Sequence, residues 1–281
     1  MHFGIGIFPT DFSIGPVELG RAVEEHGFES LWFPEHTHMP LGARQQEPRV
    51  AALPPDYSRS LDPFGALAAV AAVTSRLRLG TGICLVVERD PIVLAKEVAS
   101  LDYLSGGRVL FGVGAGWIGQ EMQHHGTNPK RRFALLRERI LAMKQIWTND
   151  EAEFHGALVD FDPIWQWPKP VQKPHPPVFV GGEGPHVLQR VVEYGDAWMP
   201  NARGGPMELA PRLAELQRLA AEGRAGPPIP VTIWSPPRDP RLLEEYAELG
   251  VERCIFGLAA APAEQVLPRL AHYAEVARPF M

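Results

Sequence analysis

The segment WFPEHTHMP, Trp32 to Pro40, puts Glu35, His36 and His38 within four residues of one another, just after a short apolar run. Three kinds of chemistry suit such a grouping. His36 and His38 form an HxH pair, a pattern that metal-dependent hydrolases place on barrels, but a divalent metal wants three or four ligands. None of the other histidines falls at the tip of a later strand, so no metal site is expected. An imidazole beside a carboxylate also suits proton movement near neutral pH, which would make His36 the acid/base group and Glu35 its acidic neighbour. The third reading is a plain loop, with Glu35 merely orienting the ring. His38 fits best as such a loop histidine.

Glycine-rich stretches supply the other candidates. GTGIC (Gly80 to Cys84) has two glycines at a strand tip, which marks a bulge or a close backbone approach. GVGAGW (Gly112 to Trp117) lacks the GxGxxG spacing, so a dinucleotide fold is not indicated. Its Gly114, Ala115 and Gly116 would still let a flat ring or a phosphate reach the backbone. In VGGEGP (Val180 to Pro185), Gly181, Gly182, Glu183 and Gly184 lead from a strand towards a helix, and free N–H groups with the helix dipole favour an anion there. A plain strand-to-helix turn would read the same way.

The elements that must position these residues alternate along the chain. Strands are expected at 3–8, 30–33, 77–86, 108–116, 177–182, 197–200, 229–234 and 254–258, from apolar and β-branched runs between turn signals. Helices are expected at 17–26, from Pro63, from Pro91, and at about 131–147, 185–194, 207–222, 240–249 and 263–277. Asp62-Pro63 reads as an N-cap and first turn, and Ser105-Gly106-Gly107 as a helix stop. Alternation over 281 residues predicts a parallel sheet, and eight units predict closure into a (β/α)8 TIM barrel, an α/β fold, with an open doubly wound sheet as the alternative. The chain is read as one domain, 1–281, with insertions at about 34–60 and 150–177. Glu35-His36, Gly82 to Cys84, Gly114 to Gly116 and Gly181-Gly182 then all fall at the C-terminal ends of strands, where barrel sites lie.

A net charge of −6 argues against a nucleic-acid partner. Cys84 and Cys254 are the two cysteines and form no CxxC pattern, which fits thiols in a reducing cytoplasm. No signal peptide is expected, and no apolar run reaches the roughly 18 residues of a membrane span.

Taken together, EH after strand two, LGTGI, LDYLSGGRVLFGVGAGW, WPKPVQKPHPPVFVGG and YGDAWMP resemble the luciferase-like monooxygenase superfamily, within it the branch of oxidoreductases using coenzyme F420, a deazaflavin. The resemblance runs from Phe3 to about Leu258. It implies a barrel with insertions and a deazaflavin or flavin at the mouth. It also implies that His36 is the catalytic histidine, that Gly82-Ile83 is a non-prolyl cis peptide behind the ring, and that Gly114 to Gly116 lie near ring and ribityl chain. Gly181, Gly182 and Gly184 would then lie near the phosphate. Two departures stand out: Glu35 replaces the Asp of several relatives, and Trp117 stands where some dehydrogenases of the family carry a glutamate proton donor. The implied activity is hydride transfer between F420 and a small organic substrate that the sequence does not name, with the 34–60 segment over the pocket. The alternative is an FMN-dependent monooxygenase served by a flavin reductase; a non-catalytic flavin-binding protein is a more distant one. A homodimer is implied by the resemblance alone.

Overall fold

The computed structural model describes residues 1–201 and 204–281. From the N-terminus the chain forms β1 (His2–Gly6), α1 (Pro16–Glu25) and β2 (Ser30–Phe33), then three short helices, α2 (Leu41–Gln46), α3 (Pro48–Ala51) and α4 (Asp56–Arg59). There follow α5 (Pro63–Ala71), β3 (Arg78–Thr81), β4 (Cys84–Leu85), α6 (Pro91–Ser105), β5 (Val109–Gly114), α7 (Gly119–His124) and α8 (Arg132–Thr148). A hairpin of β6 (Glu151–His155) and β7 (Asp160–Trp165) precedes β8 (Val178–Gly181), α9 (Val187–Tyr194), β9 (Ala197–Met199) and α10 (Gly205–Gly223). The chain ends with β10 (Thr232–Trp234), α11 (Pro240–Glu248), β11 (Arg253–Gly257) and α12 (Ala263–Ala277).

Three helix starts, those of α5, α6 and α11, share one device. Asp62, Asp90 and Asp239 each precede a proline, and each carboxylate accepts from a backbone N–H of the first turn. That satisfies donors the helix cannot satisfy itself, and proline costs nothing where no N–H is needed. At the far end of α6, Gly106 takes φ +68°, which stops the helix and turns the chain into β5.

Eight parallel strands run in the order β10, β11, β1, β2, β3, β5, β8, β9. The two ends meet at one parallel bridge, Trp198 opposite Val231, where Trp198 N donates to the Pro230 carbonyl at 3.0 Å. The ring is therefore a nearly closed barrel, as the alternation predicts. β4 continues β3 past a break at residues 82–83 and pairs with β5. Packing divides in two. One core fills the space between strands and helices. A second, of Trp32, Leu110, Phe179, Ala197, Met199 and Ile255, fills the barrel interior. Gly80 makes room for Trp32 there: a Cβ at Gly80 would collide with the indole.

Candidate active site

Two hollows at the C-terminal ends of the strands join into one mouth. The larger, of about 350 Å³, is walled by the strand tips Gly82, Ile83, Gly114 to Gly116, Gly181 and Gly182, with Trp117, Phe133, Met199, Asn201 and Trp234. The smaller, of about 250 Å³, shares Gly82, Ile83, Gly116, Trp117, Asn201 and Trp234 and adds Phe8, Pro34, Glu35, His36, Tyr57 and Leu85. The expected glycines thus come together with His36.

The wall is flat for steric reasons. The peptide between Gly82 and Ile83 is cis. A Cβ at Gly114 would lie 2.5 Å from Ile83 Cδ1, and one at Gly82 would strike the Trp234 ring. Gly182, at φ +113°, has open space where a side chain would be. Glycine at these tips leaves a slot faced by Ile83, Trp234 and Met199, with backbone in reach of whatever enters. Glu183 lies in an adjoining hollow of about 180 Å³, with Trp198 and Arg212. The Arg212 guanidinium holds the carbonyls of Glu183 and Gly184, which fixes the turn. Cys84 stands apart from the mouth: it is fully buried, and burial first and the Glu35 carboxylate next push its thiol well above its usual pKa.

His36 stacks on Phe8 at 6.3 Å between ring centroids and is tilted against Tyr57 at 5.0 Å. Its side chain is 6% exposed, and its Nδ1 donates to Oε2 of Glu121 at 2.8 Å. The other oxygen of Glu121 accepts the Thr37 backbone N–H at 3.0 Å. A carboxylate on Nδ1 fixes the tautomer and leaves Nε2 free to exchange a proton. Glu35 is differently engaged. Its carboxylate accepts from Leu85 N and from Arg89 Nε, both at 2.7 Å, and Arg89 also binds Asp62 and Glu97. The acidic partner of the imidazole is therefore Glu121 on α7, 85 residues away in sequence. Sequence reasoning missed it, together with Phe8, Tyr57, Phe133 and Trp234. The signal for Glu121 was slight: a carboxylate one helical turn beyond Trp117, in a segment without apolar periodicity. The 34–60 insertion reaches the site through Tyr57 and through Ser60, whose hydroxyl donates to the His36 carbonyl at 3.1 Å.

His38 faces outward, with Nε2 2.8 Å from His124 Nδ1. Among the described residues no group of three or more His, Cys, Asp or Glu is arranged to hold a metal ion, and no helix is long and apolar enough to cross a membrane.

Comparison with known proteins adds to this geometry. The family model for luciferase-like monooxygenases matches residues 16–237. An uncharacterised protein of Mycobacterium tuberculosis is 43% identical, over 96% of this chain and 99% of its own length. The F420-dependent hydroxymycolic acid dehydrogenase of the same organism is 30% identical over 65% of this chain, a match spanning 48% of that longer protein. The crystal structure of a monooxygenase from Streptomyces bottropensis superposes with a TM-score of 0.82 over 99% of both chains at 20% identity, a likeness of fold.

Proposed function

The chain belongs to the luciferase-like monooxygenase family and is an enzyme of that oxidoreductase class, and from that premise we propose that it binds coenzyme F420 at its mouth and transfers a hydride between it and a small organic substrate. The observation that carries this reading is the hollow of about 350 Å³ lined by Gly82, Gly114 and Gly181, next to an imidazole with a carboxylate on Nδ1. The glycines let Ile83 and Trp234 pack close against the strand tips, and the hollow in front of them has backbone on its wall, which suits a flat tricyclic ring. When bound, the deazaflavin would supply a carbon that gives or takes the hydride.

The chain's own residues do the rest. Gly82 and Ile83 would back the ring, and Gly114, Ala115 and Gly116 would flank it. Gly181, Gly182, Glu183 and Gly184 would meet the phosphate side; the Gly182 N–H is held by the Met199 carbonyl at 3.2 Å, so an anion there would be met by the N–H groups of the turn after it. His36 moves the proton that accompanies the hydride, at Nε2, while Glu121 holds the ring in register. Phe8, Tyr57 and Trp234 exclude water from that nitrogen. Trp117 lines both hollows and brings no acid, so His36 carries the proton work at the mouth.

Fluorescence-quench titration of the cofactor-free protein with F420, and separately with FMN, tests the reading. Tight binding of F420 with weak binding of FMN is expected. Preference for FMN would turn the same pocket to oxygen chemistry with a reductase partner and overturn the proposal.

A further inference from the structure

The smaller hollow, beside His36, is walled mainly by rings. Phe8 and Tyr57 lie 4.8 Å apart between centroids, and both pack on the His36 imidazole. They come from separate segments that are pinned together. Phe8 is in the loop after β1 and Tyr57 is on α4. Between these segments Thr10 forms a bridge to Ser60, the Leu61 N–H donates to the Pro9 carbonyl at 2.7 Å, and Arg59 donates two bonds of 2.8 Å to Asp11. A third ring, Trp234, is held by glycines. A Cβ on Gly6 would lie 2.7 Å from Trp234 Cη2, and one on Gly82 would strike the same indole. Trp117, 46% exposed, adds a fourth ring, and Leu85 an aliphatic side chain. Among the described residues no lysine or arginine lines this hollow.

We propose that this hollow selects an uncharged, flat, apolar substrate of about one ring, whose carbonyl or hydroxyl oxygen meets His36 Nε2, and that it turns away carboxylates, phosphates and ammonium ions. Shape comes first. Aromatic walls give a flat apolar molecule both contact area and ring packing. The size is that of one substituted ring, since the hollow holds about 250 Å³ and a cavity of about 150 Å³ already admits benzene. Charge of either sign finds no open partner. The nearby guanidinium, Arg89, is bound to Glu35, Asp62 and Glu97. The Glu35 carboxylate is taken by Arg89 and the Leu85 N–H, and that of Glu121 by His36 and the Thr37 N–H. Glu88 lies behind the wall, where a Cβ on Gly116 would stand 3.7 Å from its Oε1, and does not line the hollow. An ion that left water for this place would stay unpaired, which costs far more than ring contacts return. One neutral oxygen is provided for: Nε2 of His36 faces it, and the Asn201 carboxamide lies on the wall shared with the larger hollow.

The inference rests on the reading above in giving the larger hollow to the cofactor and the smaller one to the substrate. Its test is a binding measurement on cofactor-free protein, so it can fail while F420 binds, and hold while F420 does not. Four probes share one ring and differ in charge: acetophenone, benzoate, phenyl phosphate and benzylammonium. Each is titrated while the His36 ring nitrogens are followed by NMR. Acetophenone is expected to bind at least about tenfold more tightly than any of the charged probes and to move the Nε2 signal. Trp117→Ala should weaken acetophenone by up to about tenfold, the worth of one ring contact. Trp117→Arg should narrow the gap by tightening benzoate, and because this side chain is half exposed neither variant endangers the fold. A charged probe that binds wild type as tightly as acetophenone overturns the proposal. So does acetophenone that binds without moving the His36 signal, or that shows no saturation up to about 10 mM.

Discussion

At the scale of single residues the site turns on which carboxylate faces the imidazole. Successive side chains on an extended backbone point to opposite sides, so Glu35 and His36, although adjacent, cannot both address one partner. Glu35 turns in to Arg89, and His36 meets the buried Glu121 on α7. The nucleus of the site was legible because a histidine at a strand tip is a local signal; its partner was not, because it arrives through tertiary packing of a polar six-residue helix. The two acids should separate by experiment. Once a substrate is in hand, His36→Ala should lower turnover by about 10² to 10⁴ with cofactor affinity kept, and Glu121→Gln by about tenfold to a hundredfold. Glu35→Gln should instead lower stability, by about 3 kcal/mol in thermal melts, because it leaves the Arg89 guanidinium half paired. If Glu35→Gln melts like wild type and Glu121→Gln turns over like wild type, these roles are wrong. Glu88 adds a pH signature. Its folded pKa of about 8 lies above the usual 4.5, so the folded state binds the extra proton and stability falls as pH rises between those values. The slope is at most about 1.4 kcal/mol per pH unit, and Glu88→Gln should flatten it in melts recorded across that window.

At the scale of elements, the parts with strong local signals matched expectation. Strands β2 and β8 and helices α5, α6, α11 and α12 fall within a residue or two of the apolar runs and aspartate–proline starts that predict them. What escaped was short or polar. Helices α2, α3 and α4 have four to six residues each, too few for a periodic apolar face, and α7 (GQEMQH) has no such face at all. They fold because neighbours hold them, and two of them, α4 and α7, bring Tyr57 and Glu121 to the site. The strand tips make a different demand, that of empty space. Gly114→Val would press its branches onto Ile83, which lines the mouth. Overpacking of that kind costs about 1–3 kcal/mol, so F420 affinity should fall by about tenfold or more with the fold retained. Gly182→Asp puts a side chain where φ is +113° and a negative charge where the cofactor phosphate is assigned. It should weaken F420 binding measurably more than it weakens binding of a cofactor analogue lacking the phosphate. Equal losses for both ligands would move the phosphate elsewhere.

At the scale of the molecule, the barrel separates chemistry from cohesion along its axis. The mouth holds glycines, the indoles of Trp117 and Trp234, and a histidine. The opposite end is closed by arginines at the starts of strands, each bound to several partners. Arg108 donates to Thr74 Oγ1 and to the carbonyls of Ala71, Leu77 and Ser105. Arg253 forms a two-pronged pair with Glu29, with both contacts at 2.8 Å, and also donates to Thr232, so β11, β10 and the start of β2 are stitched across the floor. Burial works to raise the pKa of Glu29, but the guanidinium of Arg253 overcomes it and holds the carboxyl below its usual value. The sign follows: the pair's contribution is fully present above the ordinary carboxylate pKa of 4.5 and is lost as pH falls through the lower folded value. Arg253 is 5% exposed, so removing it strands Glu29 partly buried and unpaired. Arg253→Ala should cost about 3–5 kcal/mol in denaturant unfolding at neutral pH, with the difference from wild type narrowing in acid. Its dissociation constant for F420 should match wild type once unfolded protein is discounted. A changed affinity in fully folded protein would mean that strain at the floor is transmitted through Trp32 and Phe179 to the mouth, and that the two ends of this barrel are coupled.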